Sequence, residues 1–298
     1  METTKKKIAG KTIYYQLYSG TNQIYEYMAD LREKNENYKH RSPDFWNVND
    51  DAKSGVSGIG ITNREEGEKY LKYGYERSLQ KVKERFIMKN KKREGIIKTA
   101  RMVNSVIGET VIVPNAIMGL PICMQKRLNV VKKAKVIRLV VITGYPWHVT
   151  EKEITEAGAR ITAAAKEVER QGNRMEIYVG QVIDCDDDEN GTFCATKVKN
   201  ADQPFDLKRV GFAMCSAAMP RWLMLAWLER AKGIPDAGCA YGRAAVRSWG
   251  GDKVCEVAKS ILGRNSVVLV QDGHEKVEPE EIAKRILKEA NEVENGER

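Results

Sequence analysis

The chain has 298 residues, with 50 Lys or Arg against 41 Asp or Glu and a net charge of +9. That length suits one large domain or two small ones, and no apolar run approaches the ~18 residues needed to span a bilayer. The opening METTKKK is followed by no apolar stretch, so no secretory signal is expected.

Lys11 to Tyr18 reads as a short strand or the start of a helix, and Gln23 to Glu33 as a helix. Asn35 to Gly60 is rich in Asn, Asp, Ser and Gly and reads as a long loop anchored by Phe45 and Trp46. A helix opens near Thr62, with Glu65 and Glu66 in its first turn, and is expected to run to about Lys89. Ile96 to Ile107 is a further apolar segment. Val111 to Val113 reads as a strand. The PNAIMGLPICM stretch reads as an extended loop, because two prolines and a glycine interrupt a regular helix.

Val136 to Gly180 is the clearest unit. Val136 to Thr143 is a run of β-branched and apolar residues broken by one Arg, which fits a strand buried on both faces. Thr150 stands three residues before Glu153, the spacing of a capping box. Ile154, Ala157, Ile161, Ala164, Ala165 and Val168 then recur at helical spacing. Gly172 is a natural stop, and Met175 to Val179 reads as the next strand. Together these predict a parallel βαβ unit. Ligands of such sheets sit beyond the carboxyl ends of the strands, here the Thr143–Thr150 loop. Tyr145, Trp147 and His148 in that loop are the candidate partner-binding residues. His148 also has the chemistry of a general base, but no Ser, Cys or Asp partner is placed beside it by the sequence.

A hairpin follows, Met175–Asp184 and Thr192–Val198, with the acidic tip CDDDENG between. Pro204 to Arg209 reads as a turn, Gly211 to Glu229 as a helix, and Gly233 to Gly242 as a loop. Gly251 to Leu262 reads as a helix, Ser266 to Gln271 as a strand, and Pro279 to Val293 as a final amphipathic helix. Alternation of strands and helices from Val136 onward predicts an α/β fold with a mostly parallel sheet flanked by helices. The expected division is a mainly helical, basic region over 1–107 and an α/β domain over 108–298.

The charge is uneven. Lys69 to Arg101 carries twelve Lys or Arg against three Glu, and Lys126 to Arg138 adds six cations and no acid. Lys89, Lys91, Lys92 and Arg93 are the densest cluster and the candidate polyanion-binding residues. The same cluster is also explained as a solvated basic face or as the partner of an acidic protein. The six cysteines, Cys123, Cys185, Cys194, Cys215, Cys239 and Cys255, form no CxxC pair and stand far from the three histidines. That predicts reduced thiols, a cytoplasmic setting and no zinc site. The sequence holds no GxxxxGK[ST], GxGxxG after a strand, GxSxG or HExxH. The acidic run over 184–190 has Glu189 where a calcium loop needs glycine, so an acidic hairpin tip is the expectation there. No cofactor is expected.

Three stretches carry a resemblance. VVITGYPWHVTEKEITEAGARITAAAKEVERQGNRMEIYVG resembles the first strand, helix and second strand of von Willebrand factor A-like domains. GETVIVPNAIMGLPICM and ADQPFDLKRVGFAMCSAAMPRWLMLAWLER resemble segments of a family of phage and prophage proteins. The resemblance covers roughly Gly108 to Leu287. It implies a von Willebrand A-like Rossmannoid domain of phage or prophage origin, with no established activity. Metal-binding members carry Asp-x-Ser-x-Ser after the first strand, whereas this chain has Thr143, Gly144, Tyr145, Pro146 and Trp147. Hard cations need oxygen ligands, so the metal-adhesion site is expected to be missing. The function expected is that of a non-enzymatic interaction protein contacting a host factor, a defence protein or a virion component. The alternatives are a protein that binds or processes nucleic acid through the basic 69–101 segment, and a purely structural virion subunit. No membrane partner is expected, and self-association stays open.

Overall fold

The computed structural model describes residues 4–34, 64–76, 80, 82–83, 99–130, 134–145, 149–185, 189–221, 223–229, 243–271 and 276–296. The chain divides into two compact units, Met1–Lys89 with Val136–Arg298, and Asn90–Lys135. The sequence places a boundary at 107/108 instead. That boundary does not appear because the N-terminal strands join the same sheet as the Val136 region.

In chain order the elements begin with β1 (Thr4–Ile8), β2 (Lys11–Tyr18), α1 (Thr21–Lys34) and α2 (Arg64–Tyr73). The second unit holds β3 (Thr99–Ser105), β4 (Thr110–Val111), α3 (Val113–Ile117) and β5 (Met124–Val130). Then come β6 (Val136–Thr143), α4 (Glu151–Arg170), β7 (Arg174–Asp184) and β8 (Asn190–Lys199). After these the chain forms α5 (Leu207–Cys215), α6 (Ala218–Arg221) and a 3-10 helix, Leu223–Glu229. Last are β9 (Arg243–Ala244), α7 (Ala245–Trp249), α8 (Gly251–Leu262), β10 (Ser266–Gln271) and α9 (Pro279–Gly296).

The large unit is a mixed α/β sandwich. Its strand order is β1-β2-β8-β7-β6-β10, with β9 pairing to the end of β7. The pairs β10–β6, β6–β7 and β2–β8 are parallel. The pairs β1–β2, β7–β8 and β7–β9 are antiparallel. The sheet is therefore less parallel than the alternation of elements predicts. The link from Asp184 to Asn190 is too short for a crossover, so β8 must return antiparallel.

Strand alternation sends the side chains of β6 to two cores. Ile137, Leu139 and Val141 pack with α4, α5 and α9, together with Ile24 of α1 and Leu71 of α2. Val140 and Ile142 pack on the other face with Val254, Val257 and Ala258 of α8. The capping box at Thr150 and Glu153 is present. The predicted stripe of α4 is buried: Ile161, Ala164, Ala165 and Val168 enter the first core, and Ile154 joins a small cluster with Tyr145, Val149 and Ala217.

Several expected boundaries move for local reasons. The helix expected to reach Lys89 is broken after Tyr73, and helical residues follow at Glu76, Gln80, Val82 and Lys83. Gly74 takes φ +80, which side-chain-bearing residues rarely adopt, and sits against the backbone of Lys208. The helix expected over 211–229 starts earlier and breaks. Asp206 caps α5 by accepting from the amides of Lys208 and Arg209 at 2.9 and 3.2 Å. Ser216 leaves helical geometry at ψ 127 and its hydroxyl accepts from Ala218 N, opening a new turn ahead of Pro220. The stretch read as an extended loop contains α3, whose Pro114 occupies the first turn, where its missing amide hydrogen costs nothing. The loops expected over 35–60 and 233–242 and the centre of the acidic tip, 186–188, lie outside the described residues. Among the described residues, no helix is long and apolar enough to cross a membrane.

Helix α4 approaches α5 at Gly158, where an added Cβ would lie 2.1 Å from the Met214 carbonyl oxygen. Alanine is the better helix former by about 1 kcal/mol, but it must push two packed backbones apart. Gly158→Ala is therefore expected to lower stability by about 1–3 kcal/mol, read from chemical denaturation.

Among the described residues Cys185, Cys194 and Cys215 are buried and Cys123 and Cys255 half-buried, with no disulfide among these five, and Cys239 lies outside the described residues. Burial pushes the Cys194 and Cys255 thiols above their ordinary range. In a native thiol titration Cys123 is expected to react first, and Cys185, Cys194 and Cys215 only after denaturation, as peptide mapping of the labelled protein would show.

Candidate functional site

Two places qualify, the carboxyl ends of the parallel strands and the small second unit. At the strand ends, Thr143 Oγ1 donates to Gly180 O at 3.1 Å and Gly144 N donates to Gln271 O at 3.0 Å, which ties β6 to both neighbours. Tyr145 was expected to present its ring to a partner. It is 7% exposed, packed with Val149, Ile154 and Ala217, and acts as an anchor for the loop. Trp147 and His148 lie outside the described residues.

The start of α4 is occupied by its own cap. Glu153 Oε2 accepts from Thr150 N and Thr150 Oγ1, each at 2.8 Å, and Thr150 Oγ1 accepts from Glu153 N at 3.3 Å. Among the described residues, no group of three or more His, Cys, Asp or Glu is placed to hold a metal ion. Gln271, at the end of β10, is fully buried, and among the described residues neither amide atom of its side chain has a hydrogen-bond partner.

At the opposite end of the sheet an open cleft of about 490 Å³ is lined by Lys166, Glu169, Arg170, Arg174, Asp202 and Gln203. Lys166, Glu169 and Arg170 already have ionic partners. Glu169 meets the buried Lys199 at 2.6 Å, and Arg170 pairs with Glu167 at 2.7 Å. The same self-pairing holds elsewhere in the large unit, with Glu176 between Arg138 (2.6 Å) and Lys197 (2.8 Å), and Lys11 on Asp184 (3.2 Å). Burial raises the Glu176 pKa, but the hydrogen bonds from Lys197 and Arg138 outweigh it and hold the carboxyl below its usual range.

The second unit differs in every one of these respects. Its sheet has the order β3-β5-β4, all antiparallel, with Thr99 opposite Val130 and Ser105 opposite Met124. The far end is closed by local bonds: Glu109 N to Gln125 O (2.8 Å), Ile112 N to Cys123 O (2.7 Å) and Asn115 Nδ2 to Ile122 O (2.9 Å). None of its residues whose burial is described is buried. Val106, Ile107, Val113, Ile117, Met118 and Ile122 are large apolar residues on its surface, Ile107 at 79% and Ile117 at 81% exposure.

Between Asn90 and Lys135 stand ten Lys or Arg and two Glu, so this unit holds +8 of the chain's +9. The candidate cluster Lys89, Lys91, Lys92 and Arg93 lies outside the described residues, at the sequence border of this unit. Sequence reading treats the basic runs 69–101 and 126–138 as separate. The structure pairs Arg101 with Leu128 and Val103 with Lys126, which puts cations of both runs on one ribbon. The short alternations TARM and RLNV within these strands are the signal that could have revealed it.

One family model matches the chain, over residues 4–291, and its description is Domain of unknown function (DUF7192). No curated protein and no solved structure matches.

An orphaned buried amide is costly, so an apolar replacement of similar size removes the cost. Gln271→Met is expected to hold or raise the melting temperature. A clear fall in a thermal scan would mean that the amide has a bound partner in solution.

Proposed function

The chain belongs to the DUF7192 family, and we propose that it is a non-enzymatic interaction protein of phage or prophage origin that works by holding a macromolecular partner. The contact element in this reading is the ribbon Thr99–Val130. The observation that carries it is the exposed apolar tip of that ribbon. Burying one large aliphatic side chain is worth about 1.5–3 kcal/mol. A group of them left in water on so small a unit fits a surface that is covered in use.

Other features support the same reading. In the large unit Tyr145 is buried beyond the end of β6, the start of α4 is closed by its own cap, and Glu169 of the cleft at the other end is paired with Lys199. The buried cysteines, with no disulfide among the five described, suit a cytoplasmic setting. A von Willebrand A-like origin of the large unit is supported by the parallel trio β10-β6-β7 with α4 linking β6 to β7. Within that reading Thr143, Gly144 and Tyr145 replace the carboxylate-and-hydroxyl run of metal-binding relatives, which leaves the scaffold without the ion.

The test is a triple change at the tip, Ile107→Ser, Ile117→Ser and Met118→Ser. These side chains are exposed, so the melting temperature is expected to stay within a few degrees. Wild-type protein isolated from the cells that encode it is expected to carry a stoichiometric partner that the triple variant loses. Equal recovery on both proteins, or none on either, would remove the ribbon as the contact element.

A further inference from the structure

We infer that the ribbon Thr99–Val130 is a nucleic-acid-binding arm for duplexes, with a cationic stem on the phosphates and an apolar tip against the bases. This rests on the reading that the ribbon is the contact element, and it names the partner class. Three observations carry it.

The first is the amount of charge. The large unit has 40 Lys or Arg and 39 Asp or Glu, and its cations meet carboxylates at Glu176, Glu169 and Asp184. The two acids in the sequence of the second unit, Glu94 and Glu109, cannot neutralise its ten cations. An excess of this size on so few residues seeks a polyanion.

The second is its distribution. From Met102 to Gln125 the only charge is Glu109; every cation of the unit lies before or after that interval. Arg101, Lys126 and Arg127 occupy neighbouring rungs of the β3–β5 ladder, and Lys126 is exposed. Seven paired rungs make a stem about 20 Å long. A narrow β-ribbon of this kind enters a duplex groove. The tip, whose one charge is Glu109, offers Pro114, Ile117, Met118, Leu120 and Pro121, the residue types that wedge between base steps.

The third is what the unit lacks. Residues 90–135 contain no Phe, Tyr or Trp. Single strands are gripped by stacking bases on aromatic rings, and membrane-interface fingers anchor with aromatic belts. Both partners are therefore less suited to this unit than a duplex. A second copy of the ribbon is disfavoured by like charge.

The experiment uses the full chain with a labelled duplex of mixed sequence, followed by fluorescence anisotropy across a salt series. Binding is expected to weaken with salt, with a log–log slope of about −0.9 for each phosphate contacted. The variant Arg101→Gln, Lys126→Gln, Arg127→Gln is expected to flatten that slope by up to about three. Ile117→Ser with Met118→Ser is expected to weaken duplex binding roughly tenfold at unchanged slope. A matched single strand, phosphatidylglycerol vesicles and polyglutamate are run beside the duplex. Tighter binding to the duplex than to all three, with both variant effects, supports the arm. Equal binding to polyglutamate or to vesicles, or a slope that the stem variant leaves alone, overturns it. If no duplex binds but the tip variant still loses a co-purifying protein, the arm is overturned while the contact element stands. If neither occurs, both fall.

Discussion

Strand β6 has no free edge and no free face. It lies between β10 and β7, and its alternate side chains feed two separate cores. Every layer of the large unit is fixed by that position. Helix α4 must leave its end, cross one face and deliver the chain to β7, and it does so closely enough that only Gly158 fits against Met214. Thr155 and Thr162 add bonds in the same seam, to Cys215 O at 3.1 Å and to Met214 Sδ at 3.3 Å. The stripe of small residues along α4 is thus a packing device, and the rest of the unit assembles around it.

What was legible in the sequence was local. The run Val136–Thr143, the capping box at Thr150 and Glu153, and the helix Gly251–Leu262 each follow from residues a few positions apart. What was hidden depends on distant partners. Nothing near Lys11 says that β2 will lie parallel to β8, with Thr12 opposite Asn190. The break at Gly74 is set by the backbone of Lys208. Tyr145 looked available because loops are usually exposed, yet Val149, Ile154 and Ala217 close over it. In the ribbon, two basic runs that read as unrelated meet only because Arg101 stands opposite Leu128.

The two units handle charge in opposite ways. In the large one, carboxylates sit where the cations are, as around Glu176, and the net contribution nearly vanishes. In the small one, the cations are segregated from the apolar residues along the chain. A sheet of three short strands with no buried residue described has little core of its own. The one unit is built to be self-sufficient, the other is built around what it touches.

The pairing of β2 with β8 also fixes an order of events during synthesis. A ribosome emits Lys11–Tyr18 about 170 residues before Asn190–Lys199. Until then β1 and β2 are a lone hairpin, joined by Ala9 and Gly10 and too small to persist in water. The sheet therefore closes late and at long range, which slows folding and leaves an apolar strand waiting. Lys5, Lys6 and Lys7 border that strand, and in the nascent chain their charge discourages neighbours on the same message from pairing with it first.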